Sequence, residues 1–152
     1  MDLLDLENFL PYRLSIASNL VSDVIARAYD ELFGLTIPEW RAVAVLAENE
    51  GLTQLDIVRL TRMDKMTVSR AVRPLVERKL VLRRPNEEDG RSQLLRLSKT
   101  GQVLYAAVVP AARKLEKEMM RPFTKAEIKK LAEALRKLEA SAERIAERDR
   151  GR

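Results

Sequence analysis

The chain has 152 residues, 46% of them hydrophobic, and a formal net charge of +5, which suits one domain of ordinary size with a buried core. It has no cysteine and no histidine, which excludes disulfides, thiolate metal sites, histidine triads and thiol nucleophiles. No run of 18 apolar residues is present and the N-terminus lacks a basic-then-apolar leader. We therefore expect a cytoplasmic protein that is not an enzyme and uses no cofactor and no metal.

The first predicted element is a long helix that begins near Asn8 and ends at Gly34. Pro11 is tolerated in its first turn, and glycine is a suitable C-terminal stop. Apolar residues follow alternating steps of four and three, which makes a seam that needs a partner surface. The seam consists of Leu10, Leu14, Ala17, Val21, Val24 and Ala28.

Two capping boxes predict the next two helices. Thr36 and Glu39 open a helix that runs to about Glu48, and Thr53 and Asp56 open a shorter one. In each box the threonine hydroxyl accepts a hydrogen bond from the amide three residues later, and the acidic side chain accepts one from the threonine amide. The apolar residues that the shorter helix offers to the core are Ile57, Val58 and Leu60.

The helix after Asp64, a plausible N-cap, carries the strongest functional signal. One side is an apolar stripe, whereas the other combines positive charge with hydroxyl groups, as needed to hold phosphates and reach base edges in DNA. A helix face that is exposed to solvent and has no binding function would show the same residue pattern. The apolar stripe is Val68, Ala71, Val72, Leu75 and Val76. The polar side is Lys65, Ser69, Arg70 and Arg73, with Thr67 at its edge.

A β-hairpin is predicted directly after this helix. The runs 80–85 and 93–98 are of strand type, and the Asn, Asp and Gly of 86–92 form the turn. A basic helix followed by a hairpin predicts a winged helix-turn-helix, so the fold class is mainly α with a small β-hairpin wing (α+β). Arg91 at the tip would reach DNA backbone or minor groove, with Asp89 bracing its guanidinium or forming the turn. Arg83 and Arg84 alternate in direction, so at most one of them faces DNA.

The basic excess is confined to this part of the chain. Residues 53–100 hold 12 Lys or Arg against 6 Asp or Glu, whereas the remaining residues hold 16 against 17. This asymmetry is expected of a module that binds a polyanion and is carried on a near-neutral scaffold.

The C-terminal third is predicted to be two helices. Ser98 can cap the first, and Pro110 is expected to kink or divide it. In the second, apolar residues step by three and four between charged neighbours, as in a coiled coil, although a helix on the chain's own core would share this spacing. This second seam is Ile128, Leu131, Leu135, Leu138, Ala142 and Ile145.

Four motifs stand in succession: Thr36-Ile-Pro-Glu-Trp-Arg41, Met63-Asp-Lys-Met-Thr-Val-Ser-Arg70, Asp89-Gly-Arg91 and Leu97-Ser-Lys-Thr-Gly101. Together they resemble the MarR family of bacterial winged helix-turn-helix transcriptional regulators. The resemblance covers roughly residues 10–140 and implies a homodimer, with intertwined terminal helices, on a pseudo-palindromic operator of double-stranded DNA. It also implies repression that is released by a small ligand, often an aromatic anion. The implied organisation is one MarR-like domain, 1–152, with a DNA-binding lobe at 36–100 and dimerisation helices at 8–34 and 101–148.

The proposed site residues follow from the motifs and the resemblance. The free amides at a helix N-terminus suit phosphate, and arginine suits guanine. The DNA-binding set is Thr53, Gln54, Lys65, Thr67, Ser69, Arg70, Arg73, Arg84 and Arg91. The ligand set, near the cleft that the family implies, is Tyr12, Arg13, Trp40 and Arg41, although Trp40 also fits a hydrophobic staple with Leu35. The dimer set is Leu10, Leu14, Ile128, Leu131, Leu135, Leu138 and Ile145.

Two positions depart from the family pattern. Lys79 stands where a glycine usually separates the recognition helix from the wing, so either the turn differs or Lys79 is strained by about 1 kcal/mol. Pro74 lies inside the recognition helix and favours a kink.

Other function classes also remain open. The chain could be a winged-helix module for protein or RNA, or a non-specific architectural DNA-binding protein. A protein-binding module predicts an apolar or acidic helix face, whereas Lys65, Arg70 and Arg73 are basic.

Overall fold

The computed structural model describes residues 1–152 and contains six helices and one antiparallel hairpin, in agreement with the predicted fold class. Two compact units are present, Met1–Ala112 and Arg113–Arg152. None of the helices is long and apolar enough to cross a membrane. The elements are α1 (Leu10–Phe33), α2 (Ile37–Glu48), α3 (Gln54–Thr61), α4 (Lys65–Glu77), β1 (Val81–Pro85), β2 (Gln93–Leu97), α5 (Lys99–Met119) and α6 (Lys125–Arg150).

The helix boundaries follow the predicted caps. Gly34 ends α1 with φ 61°, in the left-handed region that glycine adopts without steric cost. At the start of α2, the Glu39 amide donates to the Thr36 hydroxyl at 3.3 Å, and the Glu39 carboxylate accepts from the Thr36 amide at 3.2 Å. Thr124 and Glu127 form a similar box at the start of α6. Each N-cap of this kind is worth about 1 kcal/mol of helix stability.

One core holds the winged-helix lobe together. It draws apolar side chains from α2, α3, α4, both strands and α5, and burying each such side chain contributes about 1.5–3 kcal/mol relative to leaving it exposed. The prediction that Leu60 joins this core is wrong, because the side chain lies on the outer side of α3 and is 53% exposed. The largest fully buried residues are Leu35, Val43, Ile57, Val68, Val72, Leu75, Val81, Leu95 and Val108.

The hairpin pairs β1 with β2 in the register Val81↔Leu97 to Pro85↔Gln93. Leu52, just before α3, forms an isolated antiparallel β-bridge with Leu95 of β2. The Leu52 amide donates to the Leu95 carbonyl at 3.0 Å, and the Leu52 carbonyl accepts from the Leu95 amide at 2.7 Å. This bridge ties the start of α3 to the wing, so the two elements are positioned together.

Hydrogen bonds of Arg78, Lys79 and Ser98 hold the C-terminal end of α4. The Arg78 guanidinium donates to the carbonyls of Gly34 at 2.9 Å and Phe33 at 3.3 Å. Lys79 has φ 57°, so this residue adopts the left-handed conformation itself, and the turn is the one that usually requires glycine. Its carbonyl accepts from the Ser98 hydroxyl at 2.7 Å, and that hydroxyl in turn accepts from the Gly101 amide at 3.0 Å. The two residues that follow α4 are therefore bonded to the end of α1 and to the residue before α5.

The two C-terminal helices are continuous. Pro110 lies inside α5 without dividing it. The predicted α6 seam is on the surface of its own unit, with Leu131 40% and Ile145 50% exposed, and no residue of α6 is buried. On α1, Leu10 and Leu14 are exposed as well. Each predicted seam is thus exposed on the surface of its own unit.

Candidate nucleic-acid interface

The exposed side of α4 carries the predicted basic residues. Because Val68, Ala71, Val72 and Leu75 are buried, the helix is fixed in rotation and its opposite side faces outward. Four of the predicted residues are exposed there: Lys65, Ser69, Arg70 and Arg73. Since the apolar stripe anchors the helix, these side chains are presented on a rigid element.

Asp64 caps α4 and fixes where this basic face begins. Its carboxylate accepts from the Thr67 amide at 2.8 Å and from the Thr67 hydroxyl at 2.8 Å. These hydrogen bonds, led by the one from the Thr67 amide, lower the pKa of Asp64, so it stays ionised at neutral pH. The Thr67 hydroxyl is consequently engaged within the protein.

The N-terminus of α3 and the wing tip line one open cleft of ≈ 620 Å³. Thr53, Gln54 and Arg91 all lie along it. The Thr53 amide and hydroxyl both donate to Asp56, each at 2.9 Å, and the Asp56 amide donates to the Thr53 hydroxyl at 3.1 Å. The amides left for an anion are therefore those of Gln54 and Leu55. The cleft brings three predicted residues together that are distant in sequence.

Asp56 places a negative charge beside this cleft. The hydrogen bond from the Thr53 amide is the main cause that lowers the pKa of Asp56, with Arg59 contributing. Arg59 bonds the carboxylate at 2.7 Å, which partly neutralises it. A phosphate at this helix start would therefore meet Arg59 as well as free amides.

The wing tip is shaped by side chain to backbone hydrogen bonds. The Asp89 carboxylate accepts from the Arg91 amide at 3.0 Å, and the Asn86 side chain accepts from the Glu88 amide at 3.2 Å and donates to the Ser92 hydroxyl at 3.0 Å. The structure therefore gives Asp89 the turn-forming role, and the expected brace on the Arg91 guanidinium is wrong. The Arg91 side chain remains exposed at the tip.

Arg83 and Arg84 lie on opposite faces of the hairpin. Arg83 pairs with Leu95 and Arg84 with Leu94, and Leu95 lines the cleft that contains Arg91. The Arg84 guanidinium instead approaches Gly51, 3.5 Å from where a Cβ would stand. Arg84 also lines an open cleft of ≈ 470 Å³ together with Thr53 and Asp56, so the predicted Arg84 lies beside the start of α3.

The predicted ligand residues differ in their surroundings. Tyr12, Arg13 and Arg41 are exposed. Trp40 is held between two tyrosines: its ring is 5.6 Å from that of Tyr29, edge to face, and 5.6 Å from that of Tyr105, stacked at 15°.

Tyr29 and Tyr105 had no signal in the sequence, because their contacts with Trp40 depend on how α1, α2 and α5 pack together and not on a local pattern. Burial raises the pKa of Tyr29. Tyr105 also lines an open cleft of ≈ 350 Å³ together with Arg84, Arg96 and Gln102.

Comparisons with known proteins agree with this geometry. The family model described as MarR family matches residues 33–92, and no curated protein gives a significant match. A MarR/EmrR family transcriptional regulator from Acinetobacter sp. ADP1 is 27% identical, with a TM-score of 0.84, 93% of this chain and 99% of that chain covered.

Two further solved structures share the fold at lower identity. The PcaV transcriptional regulator from Streptomyces coelicolor, in complex with its natural ligand, is 22% identical, with a TM-score of 0.77 and coverage of 93% and 99%. A mutant MarR from E. coli, complexed with operator DNA, is 19% identical, with a TM-score of 0.81 and coverage of 91% and 99%. These findings confirm the resemblance that the motifs indicated: residues 33–92 match the MarR family model, and the chain shares its winged-helix fold with solved MarR-family transcriptional regulators.

Proposed function

We propose that the protein is a homodimeric, sequence-specific DNA-binding repressor whose operator is pseudo-palindromic double-stranded DNA. The observation that carries this proposal is the outward face of α4, where Lys65, Ser69, Arg70 and Arg73 are exposed. The opposite side of the helix buries Val68, Ala71, Val72 and Leu75. Residues 36–100 would form the DNA-binding lobe, and 8–34 and 101–148 would supply the dimerisation helices.

The basic side chains divide into two proposed roles. Arg70 and Arg73 lie one turn apart on α4 and would contact guanine edges, each worth about 1–3 kcal/mol of discrimination. Lys65 and Ser69, with Gln54 at the start of α3, would contact phosphates. Arg91 would contact the minor groove or the flanking backbone from the wing tip.

The repressor would be released by a small anionic ligand, and the ligand complex of a neighbour with the same fold supports this part of the proposal. Arg13 and Arg41 are the exposed cations proposed to hold it, with Tyr12 and Trp40 as aromatic contacts. Thermal stabilisation by an aromatic carboxylate, lost in Arg13→Ala and Arg41→Ala, would support this assignment.

The first experiment measures affinity for the protein's own promoter fragment and for random DNA across a salt series. We expect a preference of ~1000-fold or more for the promoter and a steep fall of affinity with salt. Equal affinity for both fragments would instead favour an architectural role, and preference for RNA an RNA-binding module.

Alanine variants then separate base contacts from phosphate contacts. Arg70→Ala or Arg73→Ala should reduce promoter affinity on the order of 5- to 150-fold and leave affinity for random DNA much less affected, because only base contacts discriminate. Arg136→Ala removes the same charge from exposed α6 and should change neither affinity. An equal loss of both affinities in the α4 variants would reassign Arg70 and Arg73 to phosphate.

A further inference from the structure

Met66 is a large apolar side chain on the polar side of α4. It is 62% exposed, whereas Met63, three residues earlier, is 8% exposed and belongs to the core. At helical spacing Met66 aligns with Ser69, Arg70 and Arg73, at i+3, i+4 and i+7. It therefore lies in the same stripe as the proposed base-reading residues and not in the apolar stripe that anchors the helix.

The cap at Asp64 determines how far along the helix Met66 stands. Because α4 begins at Lys65, Met66 occupies the second helical position. In helix-turn-helix proteins the N-terminal residues of the recognition helix are those that contact base edges. Met66 is thus in the turn of α4 that would enter the groove most deeply, with Ser69 and Arg70 one turn behind it.

One group in the DNA major groove matches the apolar thioether side chain of Met66. Among the base edges there, the hydrogen-bond acceptors suit Arg70 and Arg73, and the C5-methyl of thymine is the apolar feature. Methionine is unbranched and polarizable, so it adapts its shape to such a surface. Contact with the methyl would remove two apolar surfaces from water together.

We propose that Met66 is a specificity-determining residue that reads a thymine methyl group in each operator half-site. This proposal rests on the proposed function, since it requires α4 to lie in the major groove. It assigns Met66 a task that differs in kind from that of Arg70, because the contact is apolar and is insensitive to salt.

The test uses a duplex that the wild-type protein selects from a random DNA pool. Each thymine of that duplex is replaced in turn by deoxyuridine, which removes only the methyl group and keeps base pairing. One position per half-site should lose about fourfold in affinity, the factor expected for burying one methyl group. In Met66→Ala and Met66→Gln the same replacement should have no effect, whereas Met66→Leu should retain part of it.

Leu60→Ala is the matched control. Leu60 is a similarly exposed apolar side chain of the same lobe, 53% exposed on α3, and its truncation should leave the deoxyuridine effect intact. Circular dichroism and thermal unfolding of every variant establish that the fold is unchanged.

The outcomes separate this proposal from the one on which it rests. If the wild-type protein selects no site, both fail. If it selects a site but no deoxyuridine replacement weakens binding, or if Met66→Ala and Met66→Gln remain as sensitive as wild type, the Met66 proposal is overturned while DNA recognition stands.

Discussion

Lys79 shows how a single residue is held in an unfavourable backbone conformation by its neighbours. Its φ of 57° lies in the left-handed region, where a side chain with a Cβ costs about 1 kcal/mol. The conformation persists because the amide donates to the Val76 carbonyl at 2.9 Å and the carbonyl accepts from the Ser98 hydroxyl at 2.7 Å. Lys79 therefore adopts the turn that glycine forms without steric cost.

Replacing Lys79 by glycine should therefore stabilise the protein. We expect Lys79→Gly to raise the free energy of unfolding by about 0.5–1 kcal/mol, because relief of the strain exceeds the entropy that glycine adds to the unfolded chain. Urea denaturation measures the change. Lys79→Ala removes the same charge but keeps the Cβ, and it should be no more stable than wild type. A gain in both variants would mean that the charge, and not the backbone, was unfavourable.

At the scale of elements, the start of α5 packs directly against the end of α4. Gly101 is buried, and a Cβ built there would overlap the Leu80 carbonyl oxygen. Close approach of two backbones therefore requires glycine at this position, in the Leu-Ser-Lys-Thr-Gly motif that helped to indicate the family. The packing of the lobe therefore explains the glycine of this motif without any contact to DNA.

Gly101→Ala should destabilise the lobe although alanine is the better helix former. We expect a loss of about 1–3 kcal/mol, because the overlap is with backbone that cannot move aside cheaply. Gly90→Ala is the matched control, since a Cβ at Gly90 meets nothing within 4 Å, and a surface change of this kind stays within about 0.5 kcal/mol. Equal effects in thermal and urea unfolding would show that the close approach at Gly101 carries no stability.

The sequence predicted those elements whose signals are local. The boxes at Thr36 and Thr53 span four residues each, and the hairpin turn is encoded between its own strands. The bridge between Leu52 and Leu95 joins positions 43 residues apart, and no local sequence pattern predicts it. Strand alternation likewise fixes that Arg83 and Arg84 differ in direction, but it does not fix which of the two lies beside α3.

At the scale of the whole molecule, the apolar surface of the single chain exceeds what isolated surface residues explain. Leu131, Leu135 and Leu138 on α6 are 40%, 39% and 47% exposed, and Leu10 on α1 is 72% exposed. The three leucines are neighbours on one side of α6, and contiguous exposed apolar surface of this kind marks an interaction site. The proposed occupant is a second copy of the chain.

Leu131→Asp or Leu135→Asp should dissociate the proposed dimer, because each would bury an unpaired charge in the seam. Light scattering at micromolar concentration should report a dimer for wild type and a monomer for both variants. Ala140→Asp adds the same charge to the opposite side of α6, since residue 140 is half a helical turn out of phase with the seam, and it should remain dimeric. Dimers in all three variants would remove the α6 seam from the interface.

The aromatic group around Trp40 gives the protein an internal optical reporter. The chain has one tryptophan, and its ring touches Tyr29 of α1 and Tyr105 of α5. Fluorescence from the indole therefore has a single origin, at the junction of a predicted dimerisation helix with the DNA-binding lobe. Any ligand or operator that moves α1 or α5 against α2 would change its emission, so binding and conformational change can be followed without a label.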